Sequence, residues 1–374
     1  MPAILDYARQ HVGTTIAAIE RLVGLESPST DKAAVDRCGR ELAGMLRDAA
    51  ATVDVVANAD YGDCLRARFG GDGPAVMLLG HFDTVWPVGT LERMPLQVDR
   101  DRLSGPGAFD MKAGIAIGLA ALQALRATNT PHPPVQMVWT ADEEIGSGTS
   151  RGLIEVEAQR ARAVLVLEPS LPGGALKTAR KGCGEFELVV HGIAAHAGLD
   201  PGRGASAIQE LAAQIAAIDR LQDLSNGISV NVGTVAGGSR PNVVAAEARA
   251  VIDVRAPTRP AAERIEAALR ALQPLRPGTR LTITGGFDRP PMERTAAIAG
   301  LFERARSIAA ALGRDLGEGA AGGGSDGNFT AALGVPTLDG LGAMGDGAHA
   351  AHEHVDVPSL PWRVALVAAL IAGL

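Results

Sequence analysis

The chain has 374 residues and a mass of 38.4 kDa, the length of about two domains at roughly 100–200 residues each. Apolar residues make up 47% and charged residues 21%, a balance that excludes a disordered chain or a disulfide-framed scaffold. The formal net charge of −7 argues against a nucleic-acid groove or an anionic membrane surface as the main partner.

Cys38, Cys64 and Cys183 are odd in number and far apart, which favours a reduced, intracellular chain. The first residues, from Met1 to Arg9, read as an amphipathic helix without the basic start and apolar stretch of a signal peptide, so a cytoplasmic location is expected. No apolar run is expected to reach the roughly 20 residues of a membrane span.

In chain order, helical spacing covers 31–50, and an apolar run, AVMLLG, covers 75–80. A second helical pattern covers 112–126, followed by the runs VQMVWT at 135–140 and AVLVL at 163–167. Continuous apolar runs of this length suit strands buried on both faces of a mostly parallel sheet. Their alternation with helices predicts a doubly wound α/β layer structure. From about Cys183 the pattern changes: strand 185–190, helix 204–221, strands 228–235 and 244–254, helix 260–272 and strand 280–284. That β-α-β-β-α-β order is ferredoxin-like. The expected layout is one α/β domain, 1–182 and 290–374, interrupted by a smaller α+β domain at 183–289.

Ligands of open α/β sheets bind beyond the carboxyl ends of the strands. Each buried run ends there in ionisable groups: His81-Phe82-Asp83 after the first, Asp142-Glu143-Glu144 after the second, Glu168-Pro169 after the third. Asp110 follows the turn Ser104-Gly105-Pro106-Gly107. An imidazole among several carboxylates at one sheet edge calls for cations, and this donor set suits zinc or a related divalent ion. Each acid alone would more often be a helix cap or a solvated loop charge; the coincidence at three strand ends is the signal. Asp83, two residues from His81 on an extended segment, can hold the imidazole while its other nitrogen meets a metal. Of Glu143 and Glu144, one could ligate and the other take a proton from water, or both could be solvated acids at a helix start. The segment 345–354 holds three of the eight histidines, His349, His352 and His354; clustering alone does not say which ligates, and His352 and His354 are expected in an exposed loop. Gly322–Gly327 matches G-x-G-x-x-G but opens no βαβ unit, which disfavours a dinucleotide-dependent oxidoreductase. No phosphate-binding G-x-x-x-x-G-K-[ST] loop and no G-x-S-x-G nucleophile elbow occurs.

These motifs resemble, in order and over nearly the whole chain, those of the M20 metallopeptidases, and within them the glutamate carboxypeptidase (carboxypeptidase G2-like) branch. The matching residues are Gly80–Val85, Gly105–Lys112, Thr140–Ser147, Glu168–Ser170, Gly192–Gly198, Asn242 with Asp253–Arg255, and Gly347–His349 with Glu353. The resemblance implies a zinc-peptidase-like catalytic domain with a ferredoxin-like lid and dimerisation domain, and a homodimer through that lid. It implies two zinc ions, with cobalt or manganese as alternatives, bridged by Asp110. His81 and Glu168 would complete one ion's ligands, Glu144 and His349 the other's. Glu143 would be the general base and Asp83 the residue that orients His81. His196 would donate to the oxyanion in the partner's site, and Asn242, Arg255, Lys177 and Gly324 would bind the substrate end. The Asp110–Met111 bond would be cis, as in many relatives. Two departures stand out: Ala245 occupies the position where relatives commonly have proline, and the stretch with Lys177, Arg180 and Lys181 differs in length by a residue. The implied activity is hydrolysis of the amide to a C-terminal amino acid with a free carboxylate, glutamate first. The alternatives are an aminoacylase or dipeptidase of the same family and, more remotely, a non-catalytic metal-binding scaffold.

Overall fold

The computed structural model describes residues 1–374, which divide into two units. The first comprises Met1–Ala179, Arg294–Ala321 and Ser325–Leu374; the second comprises Arg180–Glu293 and Gly322–Gly324. The divisions therefore fall a few residues from 183 and 289, and a short glycine segment joins the second unit.

The first unit is built on a six-stranded mixed sheet. Its strands are β1 (Thr52–Val56), β2 (Cys64–Phe69), β3 (Ala75–His81), β4 (Val135–Thr140), β5 (Ala161–Val166) and β10 (Thr337–Leu338), in the order β1-β2-β4-β3-β5-β10. β4, β3, β5 and β10 run parallel, while β1 and β2 form an antiparallel edge. The continuous apolar runs are explained by burial on both faces. Val76 and Leu78 join the larger core while Met77 and Leu79 join a smaller one, and Met137 and Val138 divide the same way. The larger core includes helix α2 (Ala113–Ala127) and helix α5 (Leu360–Ala372); the smaller takes in Ile154, Ala158 and Phe329. Helix α1 (Lys32–Asp48) begins at Asp31, whose side chain accepts the Ala34 amide at 3.0 Å.

The expectation that no apolar stretch reaches spanning length needs correction. The helical stretch Ala108–Ala127 is long and apolar enough to cross a membrane, but it is almost entirely buried, because it is the central helix of the larger core. The three cysteines are free and buried.

The second unit contains β6 (Gly182–His191), α3 (Ala207–Asp219), β7 (Ser229–Gly237), β8 (Glu247–Ala256), α4 (Arg259–Arg270) and β9 (Arg280–Arg289). Its all-antiparallel sheet has the order β7-β8-β6-β9, the ferredoxin-like arrangement. Ser206 and Thr258 cap the two helices through their hydroxyls. The apolar alternation of β6 and β8 supplies a separate core of Phe186, Leu188, Val190, Ile252 and Val254.

Candidate metal centre

Because β3, β4 and β5 are parallel, their carboxyl ends meet at one edge of the sheet. His81 closes β3 opposite Thr140, the last residue of β4, and Glu168 lies two residues beyond β5. A further piece comes from a small antiparallel sheet in which Arg102–Ser104 pairs with His354–Asp356, and the latter pairs with Gly345–Asp346. That sheet brings the loop carrying His349 to the loop carrying Asp110.

The two oxygens of Asp110 face different partners. Oδ1 stands 3.4 Å from His81 Nε2, which is itself 3.4 Å from Glu168 Oε1. Oδ2 stands 3.3 Å from His349 Nε2, which is 3.1 Å from Glu144 Oε2. Donors about 2.0–2.1 Å from a tetrahedral zinc stand about 3.4 Å apart, so these separations are those of neighbouring ligands in one shell. His81 Nε2 and Asp110 Oδ1 are buried and have no hydrogen-bond partner, the state expected of atoms arranged for a cation rather than for each other. The donor atoms of His81, Glu143 and Glu168 lie within 4.8 Å of one another, as do those of His81, Asp110 and Glu144. The residues present therefore fit a pair of divalent ions sharing Asp110.

Electrostatics agree. Burial pushes the His81 imidazole towards neutrality, but the Asp110, Asp83 and Glu168 carboxylates outweigh it and hold its pKa well above the usual value. The carboxylates of Asp110 and Glu144 raise His349 to about 10. Burial opposes ionisation of Asp110, yet His349 and His81 carry its pKa below the ordinary carboxylate range, while burial leaves Glu144 raised. Protons on the two imidazoles thus occupy positions where a metal would supply the positive charge.

Asp83 is fully buried and contacts more than His81. The His81 Nδ1 lies 3.0 Å from the Asp83 backbone carbonyl and 3.4 Å from its Oδ1. The same carboxylate accepts the amides of Glu143 and Glu144 at 3.3 and 3.2 Å and the Ser29 hydroxyl at 2.6 Å. The Asp110–Met111 bond is cis, and His349 has a positive φ of 61°.

The other expected residues lie elsewhere. Lys177 is buried in the strand Leu176–Arg180, its backbone bridged to Asp339, and is not among the residues gathered here. His196, Asn242, Arg255 and Gly324 belong to the second unit. There His196 is exposed and its Nδ1 accepts the amides of Gly198 and Leu199 at 3.1 and 3.0 Å, which in the neutral ring leaves the proton on Nε2. Asn242 is exposed, and Arg255 pairs with both oxygens of Asp253 while contacting Cys183. Gly324 packs so closely on Cys183 and Arg289 that a side chain there would displace them. His352 is exposed, but the expectation for His354 is corrected: it is buried, because it lies in the small sheet opposite Ser104. Sequence reasoning gave no role to Ser29 and none to Trp86, which donates to Glu353 at 2.8 Å; both act across long sequence separations that no local spacing reveals.

Known proteins share this chain's sequence pattern and fold. The family model "Peptidase family M20/M25/M40" matches residues 77–373. Carboxypeptidase G2 of Pseudomonas sp. (strain RS-16) is 29% identical over 371 residues, covering 96% of this chain and 89% of that protein. Among solved structures, the aminopeptidase PepT of Bacillus cereus has a TM-score of 0.79 at 22% identity, covering 96% of this chain and 98% of that one. The YXEP protein of Bacillus subtilis, described as a dinuclear metal binding peptidase from the M20 family, has a TM-score of 0.71 at 15% identity, with 97% and 98% covered. With the family model spanning most of its length, the chain belongs to peptidase family M20/M25/M40 and is a metal-dependent peptidase or amidohydrolase of that family.

Proposed function

We propose that the protein hydrolyses the amide bond to a C-terminal amino acid with a free carboxylate, glutamate first, using two zinc ions held by His81, Asp110, Glu144, Glu168 and His349. The observation that carries this reading is the division of the Asp110 carboxylate between His81 and Glu168 on one side and His349 and Glu144 on the other. When bound, such a pair polarises a carbonyl and lowers the pKa of water near it. Glu143, in the turn fixed by Asp83, takes the proton from the attacking water and later passes it to the leaving amine. His196 presents its Nε2 proton to the developing oxyanion, and Asn242, Arg255 and Gly324 receive the substrate's carboxylate end. Lys177, in the stretch that also holds Arg180 and Lys181, is assigned to the glutamate side chain on the family resemblance alone, which matches the stretch and not the single residue.

Glutamate is favoured by the match to carboxypeptidase G2 along 96% of the chain. The specific test is a panel of N-acyl-glutamate, N-acyl-aspartate, neutral N-acyl amino acids and dipeptides, with released amine as the readout and metal content measured alongside. Preference for N-acyl-glutamate supports the proposal, preference for neutral substrates makes the protein an aminoacylase or dipeptidase, and no release from any of them sinks it.

The proposal includes a homodimer through the second unit. Its edge strand β7 is exposed from Gly233 to Gly237, and Val235, Leu199 and Ile208 are large apolar residues left exposed on that unit. Light scattering of the wild type and of Val235→Lys tests it: a monomeric wild type refutes the dimer.

A further inference from the structure

Glu353 is completely buried, and three of the four donors to its carboxylate come from the loop that carries Asp110. Oε1 accepts the amides of Phe109 and Asp110 at 2.9 and 3.0 Å. Oε2 accepts the Gly107 amide at 2.9 Å and the Trp86 indole N–H at 2.8 Å. None of these donors is a lysine or arginine. Glu353 is also four residues from His349, and its own backbone is tied into that turn: its amide donates to Ala350 O at 2.9 Å, and its carbonyl accepts the Gly105 amide at 3.4 Å.

Strand pairing between Ser104 and His354 already joins these two segments, so a buried anion is not needed to hold them together. A buried carboxylate is costly unless its surroundings compensate it. What backbone pairing cannot do is fix the rotation of the Gly107–Asp110 turn about its own axis, which decides where the Asp110 carboxylate points. Two consecutive amides on one oxygen fix it. We infer that Glu353 is a positioning residue that, as an anion, aims Asp110 and ties it to the His349 segment, so that both halves of the cage form together. This rests on the reading of the cluster as a metal centre.

The anionic form has a consequence that separates aiming from mere packing. Each oxygen receives two donors, so the isosteric amide of Glu353→Gln must turn its NH2 towards two N–H groups whichever way it is flipped. Shape is kept while two hydrogen bonds are lost and donors face donors. Glu353→Asp keeps the charge but withdraws it by one methylene, and Trp86→Phe removes one donor while leaving the carboxylate.

The test strips the full-length wild type and these variants of metal, then titrates them with cobalt(II). The visible cobalt spectrum is read, affinity is measured by competition with a chromophoric chelator, and circular dichroism follows the metal-free fold. Glu353→Gln should bind cobalt at least about 10-fold more weakly, the usual scale for partners of metal ligands, with an altered visible spectrum. Its kcat should fall with KM little changed, since substrate contacts are untouched. Trp86→Phe should shift affinity the same way by less, and Glu353→Asp should fall between wild type and Glu353→Gln. A folded Glu353→Gln with wild-type affinity and spectrum overturns the inference. Should that variant not fold, unchanged cobalt affinity and spectrum in both Trp86→Phe and Glu353→Asp overturns it equally. A wild type that takes up no cobalt refutes the metal-centre reading itself and this inference with it, an outcome distinct from a variant that binds as well as wild type.

Discussion

The amide of Glu144 points at Asp83 Oδ2 from 3.2 Å, so the residue that steadies His81 also steadies the turn bearing Glu143 and Glu144. Two strand ends are thereby coupled through one residue: its backbone carbonyl meets His81 Nδ1 at 3.0 Å with Oδ1 at 3.4 Å, and its carboxylate, held from behind by Ser29, takes the turn. Asp83→Asn would put an NH2 against these donors and disturb both neighbours at once. Its kcat should fall about 10- to 100-fold together with weakened metal binding. Normal cobalt affinity with unchanged kcat in this variant would show that Asp83 steadies neither.

Glu143 has a different expected signature from the residues proposed above as ligands. Glu143→Ala should retain metal and substrate binding, so KM and metal content stay near wild type. kcat should drop at least about 100-fold, the lower end for a positioned proton-transfer group. Steady-state kinetics beside elemental analysis decide this, and near-normal turnover would remove Glu143 from the mechanism.

The raised imidazoles give a pH dependence with a definite sign. In the metal-free protein His349, at about 10, and His81, also raised, contribute stability that is complete below the unfolded value of about 6.5. That contribution is lost as pH climbs through their folded values. Asp110, lowered, acts oppositely: its contribution is present above about 3.9 and lost as pH falls through its folded value. Metal must displace the imidazole protons, so affinity should rise about 10- to 100-fold per pH unit between pH 6 and 8, one or two protons being released per event. Calorimetric titration in buffers of different ionisation enthalpy measures that release, and proton-free binding would contradict the assignment.

A fourth expectation concerns a close approach beneath Glu168. A methyl group on Gly114 of α2 would collide with the Leu167 carbonyl, and one on Gly342 would meet the same atom. Gly114→Ala should therefore cost about 1–3 kcal/mol as overpacking, and it should push the backbone just before Glu168. Gly152→Ala is the control: nothing lies within 4 Å of its added carbon, and a helix gains up to about 1 kcal/mol from that change. Denaturant midpoints that fail to separate the two variants would refute the steric argument.

Sequence patterning revealed most of this architecture because burial on two faces leaves an unmistakable trace. β3, β4 and β5 begin and end within two residues of their apolar runs, and ionisable residues beyond their ends form the cluster. β1 and β2 left a weaker trace. Thr52–Val56 lies at the sheet edge with no fully buried residue, and Cys64–Phe69 is interrupted by Arg66 and Arg68, so neither reads as an apolar run. Glu353 was visible as part of a motif, but its bonds reach residues more than 240 positions away, which no spacing rule detects. The allocation of Gly322–Gly324 to the second unit was equally hidden, since a glycine run carries no side chains to pattern.

The first unit is drawn from both ends of the chain, and this sets an order of events during synthesis. When residue 179 leaves the ribosome, His81, Asp110, Glu144 and Glu168 exist, but β10, α5, His349 and Glu353 do not. The roughly 170 residues from there to His349 take about 9–34 s to make at 5–20 residues per second. Through that interval the growing polypeptide holds a half-finished cradle of acids with one flank of β5 bare. The cluster is therefore completed only once His349 has been made, and a fragment released before that point lacks one side of it.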